Sequence, residues 1–277
     1  MFDCHAHLTD SSLQGDLAHL LTEAELTGVQ GIVVVSEDVY DCSKVLELCR
    51  HTNSDPNRVL RLHPSIGMHP EKANIEDLEE VLHLIDRHSE SLACVGEIGL
   101  DYSRHVVGEG EGAERKKDIQ REVLAQQARK AEDLGLAVNV HSRSAGHHAI
   151  SLLREVGVTR AVLHAFDGKP KYAMEAAAAA GYFFSVPPIV CRSPGFQKLV
   201  KSLPLESLLL ETDAPALAPE KNTRNEPRSL AISCQWVADL KGVPLEVVQE
   251  VTTQNARALF PAAFGGEDSK SGKADTA

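Results

Sequence analysis

No apolar run in this 277-residue sequence approaches the ~20 residues a membrane helix needs. No basic, apolar leader stands at its start. An intracellular protein, cytoplasmic or nuclear and without membrane contact, is expected. The six cysteines, Cys4, Cys42, Cys49, Cys94, Cys191 and Cys234, form no C-x-x-C pair, and their spacing suggests reduced thiols rather than a disulfide framework. There is no glycine-rich dinucleotide fingerprint and no phosphate-binding loop. A covalent nucleophile has no candidate either, because no G-x-S-x-G elbow is present and the cysteines lack a base partner. Basic residues are outnumbered, 28 against 40, for a net charge of −12. That balance disfavours a broad cationic footprint on nucleic acid. It does not exclude nucleic acid as a substrate, because bound divalent cations can override the overall sign within a site.

With 43% hydrophobic and 25% charged residues, the composition is that of an ordinary globular chain able to build a large core. Strand-like and helix-like segments alternate. The strand candidates are Phe2–Leu8, Gly31–Ser36, Val59–Met68, Leu92–Ile98, Leu136–His141, Arg160–His164, Tyr182–Val186 and Leu205–Thr212. Helical patterns lie between them, at Leu13–Thr27, Cys42–His51, Ile75–His88, Glu114–Leu134, Ala145–Val156, Tyr172–Ala180 and Phe196–Ser202. Two more, Ser229–Lys241 and Leu245–Ala258, follow the last strand. Such alternation predicts an α/β fold of βα units, and eight of them predict a (β/α)8 TIM barrel, distorted or regular. A doubly wound open sheet is the alternative, since periodicity does not distinguish closure from an open edge. One hydrolase domain over residues 1–264, a disordered polar tail over 265–277 and a mobile loop at Val106–Ala113 are expected.

Six residues able to bind metal each stand where an apolar run stops. They are His5 and His7, Glu97, His141, His164 and Asp213. The C-terminal ends of barrel strands share one face, so closure would gather all six there. His5 and His7 are an i, i+2 pair that faces one way on a strand. Cys4 should point the other way and is read as packing. Glu97 lies in Val95-Gly-Glu-Ile-Gly-Leu-Asp101, where the glycines suggest open backbone around a carboxylate able to bridge two cations. Glutamate within an apolar run needs a partner. His141 and His164 occupy equivalent positions in consecutive βα units. Alone, Asp213 would read as a cap or Asx-turn before Pro215. In this company it can ligate metal and accept a proton from an attacking water. Four imidazoles and two carboxylates describe a site for two divalent ions. Imidazole suits Zn, Mn, Fe, Co or Ni, and carboxylate also Mg. Two cations ~3.5–4 Å apart lower the pKa of a shared water and stabilise the attacking and leaving oxygens of a phosphodiester. Hydrolysis is the expected reaction class.

The motifs Phe2-Asp-Cys-His-Ala-His-Leu8, Ile66-Gly-Met-His-Pro70, Gly96-Glu-Ile-Gly-Leu-Asp-Tyr102, His141-Ser-Arg143, His164-Ala-Phe166, Glu211-Thr-Asp-Ala-Pro215, Arg224-Asn-Glu-Pro227 and Asn255-Ala-Arg-Ala-Leu-Phe260 span nearly the whole chain in order. In these the sequence resembles the TatD family of metal-dependent deoxyribonucleases, among the amidohydrolase-like barrels. The resemblance implies one metal held by His5, His7, Glu97 and Asp213, and another held by Glu97, His141 and His164. It also implies His69 beside the scissile phosphate, so that Asp213, Glu97 and His69 carry the catalysis. Arg143 and Arg224 become phosphate contacts, and Glu211 and Asn255 become structural supports. The implied activity is DNA hydrolysis, by 3′-5′ trimming, by cleavage at abasic sites, or by both. No protein partner is called for, and a monomer is compatible with this. The chain departs from the family pattern at Ser144, Asp167 and Ala216, and in a longer, more acidic Val106–Ala113 loop. Loops of this kind set specificity. With aromatics at only 4%, little base stacking is expected. The same barrel also supports hydrolysis of a small ester, lactone or cyclic amide, often with a carboxylated lysine as bridge. Glu97 in that role favours the nuclease. A closed structural metal site, commonly built from cysteines, fits less well because the chain has no cysteine cluster.

Overall fold

Runs such as Gly31-Ile-Val-Val-Val35 place aliphatic side chains on both faces, which suits a parallel strand covered on both sides. In the computed structural model, which describes residues 1–265, eight such strands are parallel, pair in chain order and close on themselves. The order is β1 (Phe2–Ala6), α1 (Ser11–Gln14), α2 (Leu17–Leu26), β2 (Gly31–Val35), α3 (Val39–Asn53), β3 (Arg61–Ile66), α4 (Leu78–His88) and β4 (Cys94–Gly99). There follow α5 (Arg104–Val107), α6 (Glu111–Asp133), β5 (Ala137–His141), α7 (Gly146–Glu155), β6 (Ala161–Leu163) and α8 (Pro170–Ala180). The chain continues through β7 (Phe183–Val186), α9 (Pro194–Ser202), β8 (Leu208–Leu210), α10 (Leu230–Lys241) and α11 (Leu245–Leu259). Pairing of β1 with β8 rules out the open sheet.

Local expectations shift in two places. The segment Leu13–Thr27 is two helices, interrupted at Gly15 and Asp16. Val106–Ala113 is not one long loop: α5 occupies its start and α6 begins at Glu111. Of the expected tail, only Gly265 falls within the described residues. No described helix is long and apolar enough to cross a membrane.

The core has two layers. Ile32, Val34, Val95, Val138, Val140 and Leu163 pack outward against helix residues such as Leu20, Val45, Ile85 and Leu124. Phe2, Cys4, Val33, Val35, Cys94, Val162 and Leu209 form a second cluster, built from strand residues and sealed by Ala256, Leu259 and Phe260 around the end of α11. That cluster is the barrel interior. Its alternation is broken in two strands. The register shifts between Asp3 and Ala6 in β1 and between Val95 and Ile98 in β4. These strands carry His5 and Glu97. A local extra residue re-aims the side chains around it. In β1, Cys4 packs with the interior cluster and Ala6 with the outer one, so strict alternation from Cys4 to His5 does not hold. Cys4 is fully buried, and burial together with the Glu211 charge pushes its thiol well above the ordinary range. It packs as a thiol.

The seam and the strand ends are held by buried side chains. Asp3 accepts from the Thr212 backbone N–H at 3.0 Å, from its hydroxyl at 2.6 Å and from the His5 N–H at 3.2 Å, fastening β1 to the segment after β8. From α6, Gln120 accepts from the Asp101 N–H at 2.9 Å and donates to its carbonyl at 3.1 Å. Gln127 does the same for Met68, at 2.8 and 3.3 Å. Neither strand end has a neighbouring strand for these groups, so the amides replace one. Gln127→Leu keeps the volume and strands two buried backbone groups. It should lower unfolding free energy by about 2–6 kcal/mol, at ~1–3 kcal/mol per orphaned group. Urea denaturation followed by circular dichroism checks this, and an unchanged midpoint would refute it.

Candidate metal centre

The structure brings His5, His7, Glu97, His141, His164 and Asp213 to one place at the C-terminal mouth of the barrel. Glu97 is 1% exposed and lies between two sets of imidazoles. Its Oε2 is 3.2 Å from His7 Nε2 and 3.5 Å from His5 Nε2. Its Oε1 is 2.7 Å from both His141 Nδ1 and His164 Nε2. Asp213 Oδ1 completes the first set, 3.5 Å from His5 Nε2 and 3.4 Å from His7 Nε2. The two rings of that set present nitrogens 3.2 Å apart. Asp213 adopts a φ of 55°, a left-handed conformation that aspartate tolerates better than most residues. Its N–H donates to the His5 carbonyl at 2.9 Å, which ties the turn to β1.

These spacings fit cation binding. Four donors around a tetrahedral ion with ~2.1 Å bonds stand about 3.4 Å from one another. The five distances recorded among His5, His7, Glu97 Oε2 and Asp213 run from 3.2 to 3.5 Å. The second set has three inward donors, with His141 Nδ1 and His164 Nε2 3.2 Å apart. Glu97 Oε2 is buried and has no hydrogen-bond partner. An orphaned buried carboxylate oxygen is costly unless a cation meets it.

Outer contacts orient three of these rings. The Asn139 amide donates to the Cys4 carbonyl at 2.8 Å, so its oxygen is the atom that meets His5 Nδ1 at 2.9 Å. His5 therefore carries its proton on Nδ1 and turns a lone pair inward on Nε2. His141 Nε2 faces Asp101 Oδ2 at 3.3 Å, leaving Nδ1 inward. His164 Nδ1 faces Glu211 Oε2 at 3.7 Å, a looser contact. Such outer partners fix ring orientation and basicity in metal sites. His69 differs. Its Nδ1 accepts from the Glu71 N–H at 3.2 Å, so Nε2 bears the proton, 3.5 Å from Glu97 Oε1. That makes His69 a hydrogen-bond donor in the site rather than a ligand.

The charges respond to this crowding. Burial pushes the Glu97 carboxyl up, but the charges of His69, His164 and His5 and the His141 hydrogen bond outweigh it and hold it well below the carboxylate range. Asp213 is likewise raised by burial and lowered further by the His7 hydrogen bond and the neighbouring imidazoles. Burial lowers His7 and His164, yet carboxylate contacts carry both well above the ordinary imidazole value. Above the centre opens a cleft of about 520 Å³, within the ~300–1,000 Å³ of small-molecule sites. Asp10, Glu37, Glu71, Glu97, Asp167 and Asp213 line it, with Lys72 and Arg143 as the lysine and arginine among its described lining residues. An anionic substrate would be repelled from such a cleft unless cations were bound in it.

His69 and Arg143 stand in the cleft wall. Arg224 does not. It donates to both Asp16 carboxylate oxygens, at 2.9 and 2.6 Å, and to the Ser12 carbonyl at 2.7 Å, and so braces α1 and α2. Glu211 is not a simple strand support, because it lies behind His164 while accepting from Ser185 at 2.6 Å. Asn255 does support structure, donating to the Leu205 and Leu208 carbonyls. Asp101 and Asn139 were not assigned roles from sequence. Asn139 left a signal as the lone polar residue in Leu136-Ala-Val-Asn-Val140. The glycines around Glu97 provide closeness rather than open space. A Cβ at Gly96 would meet Asn139 Cβ at 2.7 Å, and one at Gly99, where φ is +156°, would meet the His141 carbonyl oxygen at 2.0 Å.

A closed parallel barrel with an imidazole–carboxylate cluster at its C-terminal mouth is the architecture of a metal-dependent hydrolase. The family model described as TatD related DNase matches residues 2–261, and the chain belongs to that family. A human protein named deoxyribonuclease TATDN3 is 45% identical over 264 residues, covering 94% of each chain. A protein of Escherichia fergusonii named 3′-5′ ssDNA/RNA exonuclease TatD is 29% identical over 276 residues, covering 95% of this chain and all of that one. The solved structure of YjjV, a TatD homologue from Escherichia coli K12, superposes with a TM-score of 0.81 at 27% identity, over 94% of this chain and 98% of that one.

Gly99→Ala would force β4 away from His141. Overpacking and backbone strain together should cost about 2–4 kcal/mol of stability. Thermal unfolding measured beside Gly108→Ala, where a Cβ meets nothing within 4 Å, separates the contact from the cost of a positive φ. Equal losses at the two positions would refute the packing argument.

Proposed function

We propose that the chain hydrolyses DNA phosphodiesters with two divalent cations. One would be held by His5, His7, Glu97 and Asp213, and the other by Glu97, His141 and His164. The observation that carries this reading is the Glu97 carboxylate, whose two oxygens each face their own pair of inward imidazole nitrogens. Bound there, the cations would lower the pKa of a shared water and draw charge from the phosphate oxygens. The protein's own groups supply the rest. Asp213 is a carboxylate at neutral pH and lies in the cleft wall, so it can take the proton of an attacking water. His69 offers its Nε2–H to a phosphate oxygen. Arg143 and Lys72 are the cleft cations available to orient the strand. Trimming of single-stranded DNA from the 3′ end is the action that the name of the Escherichia fergusonii relative supports; cleavage at abasic sites, in its place or beside it, is implied by the family resemblance alone.

Purified protein stripped by chelator should lose DNA hydrolysis and regain it with Mg, Mn, Co or Zn. Metal analysis should find two ions per chain in wild type and fewer in His5→Ala. Turnover of a neutral lactone with DNA untouched would instead move the chain to the ester or amide hydrolases. Asn139→Ala and Asp101→Asn should each weaken metal affinity by about 10- to 100-fold, as loss of outer ligand partners does. Calorimetry on the stripped protein reads this directly, and wild-type affinity in both variants would refute the roles given to Asn139 and Asp101.

Metal binding should also release protons. His7 and His164 hold theirs above the usual imidazole range, so protons compete with metal at pH values above ~6.5 as well as below. Apparent affinity should rise with pH through neutrality, and the heat of binding should depend on buffer ionisation enthalpy. A pH-independent affinity would count against imidazole ligation.

A further inference from the structure

Four rings form a row outside the metal cleft. Tyr102 follows β4, His147 and His148 open α7, and Tyr172 lies in the first turn of α8. Ring centroids are 5.4 Å apart between Tyr102 and His148, 3.8 Å between His148 and His147, and 5.4 Å between His147 and Tyr172. The last two rings are inclined by only 26°. None of the four lines the cleft. The row nevertheless begins at its rim, because the Tyr102 N–H donates to the carbonyl of Arg143, a cleft residue, at 3.0 Å.

The row is open and has two cations beside it, Lys117 and Arg121. His147 and His148 are exposed, and the two tyrosines are half-buried. Lys117 Nζ sits 5.4 Å over the Tyr102 ring, and Arg121 donates to its hydroxyl at 3.2 Å. Both cations also pair with carboxylates on their own helix, Glu114 and Asp118. Exposed pairs of that kind contribute little, so a phosphate can compete for the cations. Burial and the charges of His147, Arg121 and Lys117 hold the His148 imidazole below its ordinary value, so its ring is neutral at pH 7. Rings interleaved with Lys and Arg are what an unpaired polynucleotide strand requires: stacking surfaces for bases and cations for its backbone. A duplex keeps its base faces inside the helix and has little to offer such a row.

We propose that the Tyr102–His148–His147–Tyr172 row is a track for single-stranded DNA leading out of the cleft past Arg143. The proposal rests on the nuclease reading for its substrate and deepens it. Half of the chain's four tyrosines are concentrated here, which is why a low aromatic content does not limit stacking.

The test uses the metal-loaded full chain. Its probes are a fluorescein-labelled oligothymidylate of roughly ten nucleotides, within the span of such sites, and the small diester bis(p-nitrophenyl) phosphate. The double variant His147→Ala/Tyr172→Ala should weaken oligothymidylate binding by about tenfold or more, read by anisotropy and as KM with kcat retained. The same variant should hydrolyse the small diester like wild type. His147→Phe should retain oligothymidylate affinity, which a requirement for histidine itself would not allow. Lys117→Gln should reduce the slope of log affinity against log salt by about 0.7, one strand phosphate. Unchanged oligothymidylate binding in the double variant overturns the track and leaves the nuclease reading standing. An equal loss on both probes also overturns it, by showing general damage to the site. If wild type hydrolyses neither probe, the nuclease reading fails, while anisotropy still decides whether the row binds a strand.

Discussion

A carboxylate buried with one oxygen toward each of two imidazole groups is the constraint around which this barrel is organised. Glu97 is nearly inaccessible to solvent, and one of its oxygens has no hydrogen-bond partner. Such a group is tolerated only where positive charge is close on both sides. The His5–His7 pair reaches one oxygen from β1, and His141 and His164 reach the other from the ends of β5 and β6. Barrel closure is what allows strands so far apart in sequence to meet there, and the Asp3 contacts with Thr212 hold that closure beside the centre itself.

The irregularities of the barrel fall where the chemistry needs them. Register shifts occur in β1 and β4, the strands carrying His5 and Glu97, while the other strand pairs keep a regular register. Polar residues in the strands and just beyond their ends serve the same end. Asn139 orients His5, Asp101 faces the outer nitrogen of His141, and Glu211 stands behind His164. Each outer group leaves one inward nitrogen on the ring it touches. His69 is oriented in the opposite sense by a backbone N–H, which separates a donor from the ligands within one ring of imidazoles.

The fold was legible in sequence because eight apolar runs alternate with amphipathic ones, a pattern that few other architectures satisfy. The inward six were legible because each ends a run, and side-chain type at a strand end is a strong signal when it repeats. Four things were not legible. Whether glycine gives space or closeness depends on the neighbouring strand, so Gly96 and Gly99 suggested openness where β5 presses against β4. Arg224 has the right chemistry for phosphate, but it lies outside the cleft wall, where it braces α1 and α2 through Asp16 and the Ser12 carbonyl. Composition averaged the aromatics over the chain and hid the gathering of Tyr102 and Tyr172 beside two histidines. Strict alternation failed at Cys4 because an irregular strand breaks the period of two on which that inference rests.

The long helix α6 touches both regions. Gln120 and Gln127 on it grip the backbone of Asp101 and Met68, and Lys117 and Arg121 on it attend Tyr102. A small rotation of this rod would move the carboxylate behind His141 together with the cations of the outer row. One helix is thus anchored, through two amide side chains, to the backbone beside the metal centre and, through two cations, to the first ring of the outer row.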